Sequence, residues 1–83
     1  MLTVSVISPE RVLFEGQASS VVAPGHDGEL GILPGHAPLM TVLGKGVLRL
    51  DGDRAGARFQ VHGGFLQVVD NVVRVVTESA TAL

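Results

Sequence analysis

The sequence predicts an all-β fold, a small flattened sandwich or barrel of about eight to ten short strands, and three observations carry that prediction. Fourteen of the 83 residues are valine, whose β-branched side chain suits a pleated, half-buried surface better than a helix. Eleven glycines and four prolines punctuate the chain every few residues. Between them, apolar and polar residues alternate with a period of two. With no linker-like tract, internal repeat or low-complexity segment, one domain spanning residues 1–83 is expected.

The elements follow in order. In Leu2-Thr3-Val4-Ser5-Val6 the even positions are apolar and the odd ones polar, so one face is buried. Ser8-Pro9-Glu10 reads as a turn, because proline supplies the φ that a type I turn needs. A second run, Arg11 to Glu15, is expected to end at Gly16, and a third covers Ala18 to Ala23 and stops at Pro24-Gly25. Gly25 to Pro38 is densest in glycine and proline and reads as a loop. Leu39 to Leu43 is a short strand, and Gly44-Lys45-Gly46 is a candidate tight hairpin. Val47 to Asp51 alternates, with Leu48 and Leu50 inward and Arg49 outward, before a polar turn over Asp51 to Gly56. Phe59 and Val61 then face in, while Arg58, Gln60 and His62 face out. Gly63-Gly64 breaks that run, Phe65 to Val69 resumes it, and Asp70-Asn71 suits a two-residue primed turn leading into Val72 to Thr77. Only Phe65 to Leu83 is long enough without glycine or proline to host a helix, and its valine density favours strands.

Composition excludes several classes of function. A formal net charge of −2 and the absence of Trp and Tyr argue against nucleic-acid binding, which calls for a basic stripe and stacking platforms. Without cysteine there is no disulfide framework and no thiolate site. No apolar run approaches the roughly 18–20 residues needed to cross a bilayer as a helix. The start, Met1-Leu2-Thr3-Val4-Ser5, has no basic segment of the kind that opens an export signal.

Three sets of residues invite chemistry. His26, Asp27, Glu29 and His36 are all possible zinc ligands, yet their spacing matches no recognised ligand pattern, and a polar loop with two histidines is the plainer reading. Gly25, Gly28 and Gly31 could present amides to a phosphate, but Asp27 and Glu29 would repel it. Lys45 at a hairpin tip has the general shape of a lipoyl or biotinyl carrier, although its glycine neighbours differ from the usual flanks of such lysines. No serine has a base and an orienting acid near it in sequence, so no catalytic residue, cofactor or metal is expected.

Gly28-Glu29-Leu30-Gly31-Ile32-Leu33-Pro34-Gly35-His36-Ala37-Pro38-Leu39 resembles the signature loop of the epsilon subunit of F-type ATP synthases, the homologue of the mitochondrial delta subunit. Similar segments run through the rest of the chain in family order. These are Ile7-Ser8-Pro9-Glu10 with Phe14-Glu15-Gly16, Val21 to Gly25, Leu43 to Leu50, and Val61-His62-Gly63-Gly64-Phe65-Leu66-Gln67-Val68 followed by Asn71 to Val76.

The resemblance implies the family's amino-terminal β-sandwich and a mechanical, non-catalytic role in the rotor. Its partners would be the gamma subunit and the polar loops of the c-ring and, indirectly, the alpha/beta catalytic head, without insertion into the membrane. The location implied is peripheral, on the cytoplasmic face of a bacterial inner membrane or, in a photosynthetic source, at the thylakoid. Carried over by position, Glu29, Leu30 and His36 face the ring and the lower shaft, and Ser8 and Thr41 face gamma. Gly28, Gly31, Pro34, Gly35 and Pro38 shape the loop. Family members commonly continue into a two-helix carboxy-terminal hairpin, and Thr77 to Leu83 stands about where it begins. The nucleotide-sensing and inhibitory roles of that hairpin are therefore expected to be absent from this polypeptide.

Overall fold

The computed structural model describes residues 1–52 and 56–83. Ten strands form two five-stranded sheets, with no helix among the described residues. They are β1 (Leu2–Ile7), β2 (Val12–Ala18), β3 (Ser20–Gly25), β4 (Gly28–Ile32), β5 (Leu39–Val42), β6 (Lys45–Asp51), β7 (Ala57–His62), β8 (Phe65–Val69), β9 (Val72–Val76) and β10 (Ser79–Ala82). The first sheet has the order β2-β1-β9-β8-β5 and the second β10-β7-β6-β3-β4. Neighbours are antiparallel except β1 and β9, which run parallel with Val4 beside Val73.

Period-two alternation builds the core directly. Leu2, Val4, Val6, Leu66, Val68, Val73 and Val75 project inward from the first sheet. Val21, Ala23, Ile32, Leu48, Leu50, Phe59 and Val61 meet them from the second. The body measures 27 × 26 × 20 Å, which leaves room for one apolar layer between two sheets.

Two hairpins close by local chemistry as expected. Ser8 and Arg11 exchange both backbone hydrogen bonds around Pro9-Glu10. Asp70 and Asn71 both adopt positive φ, at 49° and 63°, as a type I′ turn requires. Gly63 and Gly64, with φ of 73° and 104°, carry the chain from β7 in one sheet to β8 in the other. Thr77, the buried polar residue after β9, holds this crossing: its hydroxyl lies 3.0 Å from the Gly63 carbonyl, and its N–H donates to Ile7 O.

Other expectations need correction. Gly44-Lys45-Gly46 is no hairpin tip: Lys45 opens β6 opposite His62, and the segment is where the chain passes between sheets. Neither glycine has positive φ. They serve close approach instead, since a Cβ on Gly46 would lie 2.8 Å from Pro24 Cβ, and one on Gly44 would lie 3.1 Å from Gly25 O. The Gly25–Pro38 stretch is not one loop, because Gly28–Ile32 forms β4 and pairs with β3 around the His26-Asp27 turn. β2 continues through Gly16 to Ala18, and β3 starts at Ser20 and runs through Pro24-Gly25. Proline is tolerated there because β6 pairs with β3 only from Ser20 to Val22, leaving one side of the strand without a regular ladder at Pro24. Ser79–Ala82, beyond the last strand expected at Val72 to Thr77, forms a further strand on the edge beside β7. Of the polar turn expected over Asp51 to Gly56, residues 53–55 lie outside the described residues.

Candidate functional site

The signature segment splits into an edge strand and a turn. On β4, Ile32 is buried and Leu30 packs against the core, while Glu29 and Gly31 point away from it and are exposed. Gly28 has φ of 130°, whereas Gly31 has ordinary strand φ and open space around the position of a Cβ. After Ile32 the chain makes a type II turn, with Pro34 first and Gly35 second at φ 86°, closed by His36 N–H donating to Leu33 O at 3.1 Å. His36 is half-buried, its Nδ1 lying 2.7 Å from Ala37 O. Pro38 then leads into β5.

These residues do not converge on a point. Glu29 lies beside the β3–β4 tip, and the Pro34-Gly35 turn follows the other end of β4, about 10 Å further along at the rise of a strand. Ser8 sits at the opposite end of the sandwich from that turn, beside the start of β2. Thr41, opposite Leu66 on β5, is half-buried. Among the described residues, no three His, Cys, Asp or Glu side chains gather closely enough to hold a metal. The acyl-carrier reading loses its geometric basis, since Lys45 is a strand residue rather than a displayed tip.

The outward side of the first sheet carries several exposed apolar side chains. Met40 and Val42 on edge strand β5 are 63% and 61% exposed, and Phe65, Val69 and Val72 on β8 and β9 are 39%, 42% and 44% exposed. Register aligns them: Val42 lies opposite Phe65, which lies opposite Val76, and Val69 lies opposite Val72 at the hairpin end. Gln67 and Arg74 form a polar pair between these rows, beside a shallow concavity of about 280 Å³. The second sheet's outward side is different in character, with Arg49 directly opposite Arg58 and Lys45 opposite His62.

Thr41 is singled out by the resemblance, whereas the exposure of its neighbours Met40 and Val42 was not anticipated. The signal was present. Leu39-Met40-Thr41-Val42 has no charged position, and β8 and β9 contain adjacent apolar residues rather than strict alternation, as strands covered on both sides do. A larger concavity of about 460 Å³ opens between β2 and β6, lined by Phe14, Leu50, Glu15 and Asp51 among others, and no histidine or lysine lines it.

Comparison with known proteins adds the family. Residues 1–83 match the family described as the ATP synthase, delta/epsilon chain, beta-sandwich domain. The chain is 48% identical over 77 residues to the ATP synthase epsilon chain of Leptospira borgpetersenii, covering 93% of this chain and 61% of that protein. It is 46% identical over 79 residues to the epsilon chain of Synechococcus elongatus, covering 95% and 58%. The chain thus spans about three-fifths of the length of these curated relatives. Its fold matches a chain in the Euglena gracilis mitochondrial ATP synthase (OSCP/F1/c-ring) with a TM-score of 0.90 at 21% identity, over 98% of this chain and 52% of the other. It also matches a chain in the central stalk and c-ring structure of the Tetrahymena thermophila enzyme, with a TM-score of 0.82 at 19% identity, covering 96% and 65%.

Proposed function

The chain belongs to the ATP synthase delta/epsilon β-sandwich family, and from that premise we propose that it is a non-catalytic piece of the rotor, joining the foot of the gamma shaft to the c-ring. The observation that carries this reading is the apolar outward face of the first sheet, formed by Met40, Val42, Phe65, Val69 and Val72. Covering side chains left two-fifths to three-fifths exposed would contribute roughly 1 kcal/mol apiece to docking on the shaft, and the face extends over three adjacent strands.

The ring is assigned to the other feature, β4 and the turn after it, through Glu29, Leu30 and His36. Glu29 is exposed on an edge strand, so an ion pair from it contributes only ~0–1 kcal/mol and sets register more than affinity. Ser8 and Thr41 are assigned to the shaft side by family position alone; Thr41, paired with the buried Leu66, faces the inward side of β5 and not the apolar face. Two densely packed sheets between these contacts resist deformation, so torque from the ring reaches the shaft instead of distorting the intermediate body. In this role the domain helps couple proton flow to ATP synthesis in the alpha/beta head, peripheral to the membrane.

Gel filtration with the cognate gamma subunit tests the proposal. Co-elution as a stoichiometric complex is expected, and separate elution at micromolar concentrations would refute it.

A further inference from the structure

We propose that Asn71 is a positioning residue that latches the ring-facing turn to the shaft-facing sheet. This rests on the assignment of the Leu33–Pro38 segment to the ring. Asn71 occupies the second position of the β8–β9 turn at φ 63°. Its carbonyl accepts from Thr3 N–H at 2.8 Å, which ties the hairpin tip to the start of β1. Its side-chain Oδ1 accepts from Gly35 N–H at 2.7 Å. Gly35 is the positive-φ centre of the type II turn that presents His36.

Among the described residues, this is the one hydrogen bond that reaches the turn from another element. Leu33, Pro34, Gly35, Ala37 and Pro38 are exposed, so little packing holds the segment otherwise. The latch also joins the two proposed contact surfaces. Val69 and Val72, on the apolar face, flank the turn that Asn71 completes, and the amide then grips the segment connecting the two sheets. Asparagine suits both tasks, since it tolerates left-handed backbone and carries an acceptor on a short stem.

The test uses two variants with opposite expectations. Asn71→Gly keeps the positive φ and the Thr3 contact and deletes only the side-chain amide, whereas Asn71→Asp keeps an acceptor oxygen. Amide exchange at Gly35, followed by NMR, is expected to accelerate about tenfold in Asn71→Gly and to stay within about twofold of wild type in Asn71→Asp. Binding to the detergent-solubilised c-ring carrying its gamma subunit is expected to weaken about three- to tenfold in Asn71→Gly and to recover in Asn71→Asp. Unchanged exchange at Gly35, or faster exchange with unchanged ring affinity, would overturn the latch. Failure of the unmodified protein to bind the ring would overturn the assignment of the segment and the latch's purpose together, and is distinguished by appearing without any substitution.

Discussion

Replacing Met40 and Val42 together with alanine should separate docking from folding. Both side chains leave the outward face of edge strand β5, and about three-fifths of each is exposed. Full burial of such a side chain is worth about 1.5–3 kcal/mol, so covering the exposed portion contributes about 1–2 kcal/mol at each position. Alanine forfeits most of it, and the pair should cost about 2–3 kcal/mol of binding, or roughly a 30- to 150-fold rise in Kd for gamma. Folding should suffer far less, by about 1 kcal/mol in total, because neither side chain belongs to the core. Isothermal titration against gamma supplies the first quantity and a thermal melt followed by circular dichroism the second. A double variant that binds gamma within about threefold of wild type would refute the assignment of this face.

Three further substitutions report on other parts of the account. Glu29→Lys should leave the melt unchanged and weaken ring attachment by up to about fivefold, with the salt dependence of binding altered, as measured by ring pull-down at two ionic strengths. Gly64→Ala should destabilise by about 2–4 kcal/mol in a urea titration, because φ of 104° strains any L-residue and the new Cβ would collide with the Val76 carbonyl. Leu66→Ala empties a fully buried core position and should cost about 2–5 kcal/mol in the same titration, a large share of the roughly 4–12 kcal/mol expected for a domain of this size.

What could be read from the residues alone was whatever depends on neighbours in sequence. Asp70-Asn71 between valine pairs specifies a primed turn by its own backbone preferences, and Ser8-Pro9-Glu10 does likewise. The inward faces of β1, β6 and β7 follow from side chains two residues apart. The less legible features depend on residues far apart in the chain. Gly46 resembles a turn glycine until Pro24 is found against it. β4 is hidden by its glycines, because its strand character comes from pairing with β3 and from the single buried anchor Ile32. β10, made of Ser79-Ala80-Thr81-Ala82, has almost no apolar signal and is ordered by its partner β7. The grip of Asn71 on Gly35 links positions on opposite sides of four strands in sequence, and no local pattern announces it. Resemblance nominated the segment around Glu29 and His36, whereas the exposure of Met40 and Val42 emerged only when β5 acquired a sheet with two distinct sides.

Because the chain contains no native cysteine, single-cysteine cross-linking in the assembled enzyme tests the central claim most directly. Cysteine is introduced singly at Val42, His36 and Gln60, which represent the apolar face, the turn after β4 and the second sheet's outward side. With a short bifunctional reagent, Val42→Cys should capture gamma, His36→Cys should capture a c-subunit, and Gln60→Cys should capture neither. Capture of gamma from position 60 and not from position 42 would contradict the account.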